Sequence, residues 1–287
     1  MTTSVQAAPS AARPLPPYAI LGAVIIAAAE ILMLRDVEPV ATWFTPVAWT
    51  GYILMVDGLV LWRRGHSLLH DRPREFVLML PLSVGIWLIF EAFNLHLRNW
   101  HYLGVPPSPW REIGFFWSFA TILPGLFETA DLLTKQPLLA ASTSDRPTHR
   151  SWHLPMIALG MLLLTIPLLL PGPVARYLFG MVWLGFILLV EPLNHRLGHP
   201  SLLGDWEAGR SSRLLALLLA GLICGFLWEF WNFWAHGKWI YSVPIVSEAR
   251  IFEMPILGFA GFPPFALECF ALYQLAKGTL NRLGARL

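Results

Sequence analysis

Charged residues are scarce in this sequence, and their scarcity excludes an ordinary soluble domain. Asp, Glu, Lys and Arg together make up 13% of the 287 residues, whereas hydrophobic residues make up 56% and the mean hydropathy is +0.57. Soluble domains carry about 25% charged residues. The net charge is only +2, which is too small an excess of basic residues to indicate a nucleic-acid partner.

Cysteine and the common cofactor motifs are also nearly missing. The two cysteines, Cys224 and Cys269, both lie in apolar runs, a position typical of small packing residues and not of a disulfide framework. The chain has neither a glycine-rich phosphate loop nor a C-x-x-C pair. We therefore expect no cofactor.

Long apolar runs dominate what remains. A helix needs about 20 apolar residues to cross roughly 30 Å of hydrocarbon. Eight runs of suitable length are present, at residues 17–34, 43–62, 76–97, 113–133, 154–171, 174–193, 213–235 and 252–275. The sequence therefore predicts an all-α integral membrane protein with eight transmembrane helices, whose first partner is the lipid bilayer.

Two stretches of the chain share one pattern, in which a glutamate precedes an asparagine by three residues and a W-x-Y follows. The pattern comprises Glu91, Asn94, Trp100 and Tyr102 in the first stretch, and Glu229, Asn232, Trp239 and Tyr241 in the second. Because each stretch belongs to a unit of four apolar runs, the sequence predicts two parallel four-helix repeats. A pseudo-twofold axis along the membrane normal would relate them.

Polar composition and basic residues set the predicted boundaries and topology. We predict an N-terminal tail at 1–16, a first repeat at 17–134, a cytoplasmic linker at 135–153, a second repeat at 154–277 and a C-terminal tail at 278–287. With both termini inside, most of the 20 lysine and arginine residues lie on the cytoplasmic side, as the positive-inside rule requires. The predicted location is the inner or plasma membrane, and a homo-oligomer is left open.

Glutamates inside apolar runs are the candidate catalytic residues. Glu91 and Glu229 are the proposed acids, and Asn94 and Asn232, one helical turn away on the same face, are their orienting partners. A carboxyl sheltered from water can stay protonated and act as a general acid, for example toward a polyene double bond. The W-x-Y residues either line a substrate site or form an interfacial aromatic belt.

Further acids extend this candidate site. Glu112 and Glu253, at the start of the fourth run of each half, form a secondary catalytic pair. Glu128 and Glu268 follow helix breakers in the same runs, Pro124 in the first half and the Pro255 to Pro264 segment in the second. Breaks at matching places indicate a substrate-binding cavity, because freed carbonyls survive in a membrane only where protein or water satisfies them.

Two other acids, Asp57 and Glu191, lie near the cytoplasmic ends of their runs. Arg63 and Arg64 follow the first, and Arg196 follows the second. We interpret both acids as members of structural ion pairs.

Histidines offer a competing interpretation of the polar residues. Two sets have spacings that bring metal ligands to one helix face, suited to zinc or iron: Glu191, His195 and His199, and Glu229, Asn232 and His236. Pro192 and the G-H-P sequence after it predict that the first helix ends near His195, and neither H-E-x-x-H nor a repeated E-x-x-H is present. We therefore predict no metal site.

The W-x-Y segments resemble the lycopene cyclase domain of carotenoid biosynthesis, a small repeated membrane module in which W-x-Y precedes a proline–glutamate motif. The matching residues are Trp239, Tyr241 and Glu253 in the second half and Trp100, Tyr102 and Glu112 in the first. The chain departs from the family pattern P-x-E-E, because each of its segments, FEMP and REIG, has a single acid. The resemblance implies isoprenoid cyclisation.

Three functions fit these observations. The first is acid–base chemistry on a hydrophobic, lipid-like or isoprenoid small molecule in an acidic, aromatic-lined cavity, as in a cyclase or isomerase. The second is a proton-coupled carrier for a small solute or ion. The third is a scaffold or assembly factor without turnover, in which the acids only pair helices.

Overall fold

The computed structural model describes residues 14–134, 150–244 and 248–285. Most of them are helical. The helices, in chain order, are α1 Pro17–Leu34, α2 Phe44–Arg64, α3 Leu68–Asp71, α4 Pro73–Leu97, α5 Trp110–Ala120, α6 Ile122–Leu133, α7 His153–Leu169, α8 Gly172–Ala175, α9 Phe179–Leu197, α10 Leu202–Glu207, α11 Ser212–Trp234 and α12 Phe262–Arg282. Four short strands, β1 Trp100–Leu103, β2 Lys238–Tyr241, β3 Arg250–Ile251 and β4 Met254–Pro255, and two 3-10 turns, Arg150–Trp152 and Ile256–Gly261, complete it.

Within the described residues, six helical segments are long and apolar enough to cross a membrane. They are Pro17–Leu34, Phe44–Arg64, Pro73–Leu97, Trp110–Leu133, Ser212–Trp234 and Ile256–Arg282. Their outer faces expose large apolar side chains, such as Ile20 and Val24 at 55% and 56%. Contiguous apolar faces of this kind are unfavourable in water and are rare on soluble monomers. The mostly helical chain therefore fits a polytopic membrane protein.

The two remaining predicted spans form helices that fall short of the same criteria. α7 has 17 residues, and α9 carries Glu191, Asn194, His195 and Arg196 in its last two turns. α9 also begins later than the predicted span, because the short helix α8 and a turn occupy residues 172–178. The prediction of eight spans therefore goes beyond what helix length and hydropathy establish.

Two helix pairs pack closely through glycine. α1 crosses α2 at Gly22 and Gly51, where an added Cβ on either glycine would lie less than 3 Å from the other's carbonyl oxygen. α7 crosses α9 at Gly160 and Gly185, where an added Cβ would lie 2.8 and 3.3 Å, respectively, from the other's carbonyl oxygen. Small residues let two helix backbones approach, which is how helices associate without a hydrophobic driving force.

The fourth apolar run of the first half is interrupted, but three residues earlier than the proline that we predicted would interrupt it. α5 ends at Ala120 and α6 begins at Ile122, with Thr121 between them. Pro124 explains the position, because a proline lacks the N–H that would bond to the carbonyl four residues before it and its ring clashes there. In the second half the 3-10 turn precedes α12, which starts with Phe262, Pro263 and Pro264.

The two W-x-Y segments form strands that pair with each other, which the sequence did not predict. β1 and β2 are antiparallel, with Trp100 opposite Tyr241 and Tyr102 opposite Trp239. The tryptophan of each segment thus faces the tyrosine of the other. This pairing joins two segments almost 140 positions apart and forms one wall of the cavity described below.

Asp57 and Glu191 accept hydrogen bonds from short helices, and our interpretation of them as ion-pair members was wrong. Asp57 accepts from Tyr18 Oη, Ser67 Oγ and the Leu69 amide at 2.7–2.8 Å. Glu191 accepts from the amides of Leu202 and Leu203 at 2.6 and 3.2 Å. The unpaired amides at the start of α3 and α10 attract these carboxylates.

The polar linker lies mostly outside the described residues, which resume at residue 150. The predicted linker ended at 153, whereas a 3-10 turn begins at Arg150 and α7 at His153. Cys224 and Cys269 are buried and unbridged, which confirms their interpretation as packing residues.

Candidate functional site

A cavity of about 170 Å³ lies beneath the paired strands β1 and β2. More than half of the residues that line it are aromatic. These are Trp43, Trp49, Trp87, Phe90, Trp100, Tyr102, Phe115, Phe119, Phe179, Trp183, Trp228, Trp239, Tyr241, Phe262 and Phe265. Among the described residues that line the cavity, Glu229 is the only carboxylic acid and Arg111 the only basic residue.

Glu229 is completely buried on α11, at 0% exposure. Its Oε1 accepts from Tyr241 Oη at 2.8 Å and from Trp239 Nε1 at 3.4 Å. Its Oε2 is buried and, within the described part of the chain, has no hydrogen-bond partner. A buried polar atom without a partner costs about 1–3 kcal/mol. Thr45 Oγ1 and Trp49 Nε1, which belong to two other lining residues, share this state, but Oε2 is the only carboxyl oxygen among the described lining residues that does.

Glu91 occupies the corresponding position on α4 but has a different environment. Its Oε1 accepts three hydrogen bonds, from Tyr102 Oη at 2.5 Å, Trp87 Nε1 at 2.9 Å and Trp100 Nε1 at 3.0 Å. All three donors line the cavity, whereas Glu91 itself does not. Glu91 therefore fixes the positions of Trp87, Trp100 and Tyr102 from outside the cavity, through their hydrogen bonds to its Oε1.

The tyrosines of both W-x-Y segments remain protonated donors. Burial, followed by the charge of Glu91, raises the pKa of Tyr102 well above its usual value. Burial, the largest cause, does the same for the pKa of Tyr241. Each phenol thus keeps its proton and donates a hydrogen bond to its glutamate.

Asn94 and Asn232 hold the strands, and their side chains contact backbone instead of carboxylate. Asn94 Nδ2 donates to the Trp100 carbonyl at 2.9 Å, and Asn94 Oδ1 accepts from the amides of Asn99 and Trp100. Asn232 makes the equivalent pair of bonds with the carbonyl and amide of Trp239, at 2.8 and 2.9 Å. Each asparagine thereby fixes where its tryptophan sits on the cavity wall.

Four other predicted site residues lie off the cavity lining. Glu112 is half-exposed and bonds Arg111 at 2.7 Å, and Glu253 bonds Lys238 at 2.7 Å. Glu128 and Glu268 are buried, at 1% and 0% exposure. Their four carboxyl oxygens have no hydrogen-bond partner in the described chain.

The histidines proposed from helical spacing do not meet as those spacings suggested. His236 lies 3.2 Å from Asp36 and 3.0 Å from Glu38. Both of these acids are far from Glu229 in the sequence. His199 packs against Gly278 on α12. His195 instead lies close to His153 and Glu207, which are outside the helical pattern.

Several residues of the cavity had no distinguishing signal in the sequence. The rings of Trp49 and Trp228 lie in its wall with centroids 5.0 Å apart and planes tilted by 42°. Trp183 packs over Gly261, where an added Cβ would lie 2.1 Å from its ring. Trp87 could have been found, because it precedes Glu91 by one helical turn. Arg111 was visible only as a neighbour of Glu112.

No protein-family model matches the chain, and no curated protein or solved structure matches it either.

Proposed function

We propose that the chain is a membrane-embedded enzyme that protonates a hydrophobic, isoprenoid-like lipid in the aromatic cavity, with Glu229 as the general acid. The observation that carries this proposal is the environment of Glu229. It is the only carboxyl among the described lining residues, and its Oε2 is buried without a hydrogen-bond partner there. A neutral carboxyl is far cheaper to bury than a carboxylate, so Oε2 carries the proton that would be transferred.

The chemistry balances without a co-reactant. The Oε2–H proton adds to one carbon of a double bond, which forms a C–H bond and leaves a carbocation on the other carbon. Tyr241 and Trp239 stabilise the carboxylate through Oε1, as donors aimed at a developing charge do. Loss of a different proton from the substrate back to Glu229 yields an isomerised or cyclised product and restores the acid.

The aromatic walls suit the cationic intermediate. Ring faces of tryptophan, tyrosine and phenylalanine attract a cation within about 6 Å by about 0.5–2 kcal/mol, more strongly when water is excluded. Trp49, Trp228 and Phe265 form adjoining walls, with neighbouring ring centroids 5.0 and 5.9 Å apart. Polar atoms that could trap the cation as an alcohol are few on this surface.

The size of the cavity limits how much of the substrate it holds. A cavity of about 150 Å³ accommodates a benzene ring, and this cavity measures about 170 Å³. It therefore holds one hydrocarbon ring, or the end of a chain that folds into one. The rest of a long isoprenoid would extend toward the lipid.

The membrane arrangement that we propose retains eight spans, in which α7 and α9 complete the six longer segments. Two parallel four-helix repeats are supported by the matched glycine crossings of α1 with α2 and of α7 with α9. The reciprocal pairing of tryptophan with tyrosine between β1 and β2 supports a pseudo-twofold axis through that strand pair. Both termini would then be cytoplasmic, with the cavity toward the opposite face of the cell membrane.

One observation favours a carrier as the second candidate. The two interrupted helical segments both line the cavity, through Phe119 and Ile122 on either side of Thr121 and through Gly258 and Gly261 in the 3-10 turn. Interrupted helices beside a central site are typical of transporters. In that case Glu229 would carry the coupled proton.

The decisive experiment compares lipid extracts of cells that express the wild type, Glu229→Gln or Glu112→Gln at equal abundance. We expect a product with the wild type and with Glu112→Gln, whose side chain is half-exposed and off the cavity. Glu229→Gln should reduce the product by about 10²–10⁴-fold, the usual contribution of a general acid. Identical lipids in all three strains would refute an enzyme, and proton-dependent uptake in proteoliposomes would then support the carrier.

A further inference from the structure

We propose that His153, His195 and Glu207 form a binding site for a divalent transition-metal ion of the zinc class, separate from the aromatic cavity. Each residue offers one ligand atom, and these atoms all lie within 4.8 Å of one another. The three residues belong to different helices, at the start of α7, in the last turn of α9 and at the end of α10. None of them lines the cavity.

One of the three separations is already close to that of a loaded site. His195 Nε2 lies 3.1 Å from Glu207 Oε2. Two ligands at about 2.0–2.1 Å from one tetrahedral zinc ion are separated by about 3.3 Å. The rings of His153 and His195 have centroids 5.1 Å apart and are nearly perpendicular at 80°, so a modest inward movement of His153 would complete three of the four positions.

His195 is oriented by a neighbour in the manner usual for a metal-bound histidine. Its Nδ1 lies 3.4 Å from Ser201 Oγ, the cap of α10, which also accepts from the Gly204 amide at 3.0 Å. When Nδ1 donates to Ser201, the lone pair of Nε2 faces the Glu207 carboxylate. Two acceptors at 3.1 Å need a proton or a cation between them, and the cluster supplies a third ligand for the cation.

The ligand set indicates the kind of ion. Two imidazoles and one carboxylate suit zinc and other first-row transition metals, whereas magnesium and calcium prefer oxygen ligands. His153 is buried at 1% exposure, and the side chains of His195 and Glu207 are 26% and 29% exposed. The ion would thus be reached from one side and keep its fourth position for water.

Arg196 would lose its contact with His153 when the metal binds. Its Nε lies 3.4 Å from His153 Nδ1, a long contact that a metal-bound ring with a proton on Nδ1 would no longer accept. Removing this guanidinium also removes a positive charge beside the ion. Metal affinity should therefore rise in Arg196→Ala, which a merely structural histidine cluster would not show.

A bound ion would link three helices at one end of the second half. α7 contacts its neighbours mainly by packing on α9 through Gly160, and α10 follows α9 after a short loop. An ion held by all three helices would fix α7 to α9 and α10. Zinc should accordingly raise the thermal unfolding temperature of the protein.

The test uses the full chain, purified in detergent without a polyhistidine tag. Zinc content is measured after dialysis, and cobalt absorption reports the coordination geometry. We expect about one zinc ion per chain in the wild type and in His199→Ala, the control for the histidine spaced four residues from His195. His195→Ala and Glu207→Gln should each bind at least about tenfold more weakly, and Arg196→Ala more tightly.

Two results would overturn the proposal. Equal zinc content and equal cobalt spectra in the wild type and His195→Ala would indicate an adventitious ion only. No binding by the wild type at about millimolar zinc would exclude a site. If His195→Ala fails to fold, Glu207→Gln and Arg196→Ala decide, because their opposite expected shifts do not depend on loss of structure.

Discussion

Glu91 and Glu229 occupy matching positions in the sequence, yet their surroundings differ in one donor and one ring. Four residues before Glu91, Trp87 donates to the carboxylate. Four residues before Glu229 the chain has Gly225, and the ring of Phe262 fills the space that a side chain there would need, 2.2 Å from an added Cβ. Glu229 thus lacks one indole donor that Glu91 has, and it is completely buried whereas Glu91 is partly exposed.

The largest difference should appear in stability when each carboxylate is removed. Glu91→Ala deprives Trp87, Trp100 and Tyr102 of their acceptor. Each orphaned donor costs about 1–3 kcal/mol, so we expect a loss of about 3 kcal/mol or more. Glu229→Ala should be milder, because Trp239 still donates to Tyr241 Oη at 2.9 Å.

Unfolding in mixed micelles measures this difference in the free energy of unfolding. Leu95→Ala is a control on the same helix as Glu91, since its side chain is 81% exposed and its loss should matter little. Equal destabilisation by Glu91→Ala and Glu229→Ala would show that the two carboxylates have the same structural role.

An intermediate effect is expected where Phe262 replaces the missing indole. Gly225→Ala places a methyl group 2.2 Å from the Phe262 ring, and overpacking of this kind costs about 1–3 kcal/mol. Because Phe262 also lines the cavity, a displaced ring would change the cavity, so activity or ligand binding should fall with stability. Gly85→Ala, on α4 with nothing within 4 Å of the added Cβ, should be neutral or stabilising by about 0.5–1 kcal/mol.

Thermal unfolding of the two glycine variants, alongside assay of the Glu229-dependent product, separates these outcomes. A Gly225→Ala protein as stable and active as Gly85→Ala would mean that the position of Phe262 does not matter.

The smallest effect on stability, but an unequal one on function, should come from the phenols. Tyr102→Phe leaves Glu91 with two indole donors at 2.9 and 3.0 Å. Tyr241→Phe leaves Glu229 with only the 3.4 Å contact from Trp239. Each change should alter the free energy of unfolding by about 1 kcal/mol, whereas only Tyr241→Phe should lower turnover, because its phenol stabilises the carboxylate formed by proton transfer.

Rate measurements on the two phenylalanine variants test this asymmetry directly. A greater loss of turnover in Tyr102→Phe than in Tyr241→Phe would transfer the proposed chemistry from Glu229 to Glu91.

The helices were predictable from the sequence because apolar runs of fixed length leave a membrane protein few alternatives. Six of the predicted spans coincide with long apolar helices. Helix ends were harder to predict. The break at Thr121 lies before Pro124 and not at it, because the missing N–H of the proline removes a hydrogen bond to the carbonyl four residues earlier. Of the residues in the pattern of glutamate, asparagine and W-x-Y, Glu229 and the four aromatic residues line one cavity, whereas the asparagines bond to backbone.

The rest depended on contacts between distant segments. Nothing local in W-x-Y predicts that it will form a strand, because the partner strand lies in the other half of the chain. Glu253 pairs with Lys238 on β2. Glu112 is the local exception, because it pairs with its neighbour in the sequence, Arg111. His153 could not be associated with His195 from spacing, since the two belong to different helices.

The pairing of β1 with β2 has a mechanical consequence. Their main chains are joined by hydrogen bonds, and each strand is also anchored to its helix by an asparagine. A tilt of α11 that displaces Trp239 must therefore drag Trp100, and through it the indole that bonds Glu91. A ligand that enters beside Glu229 and displaces Trp239 would consequently also shift Trp100 and its hydrogen bond to Glu91 on α4.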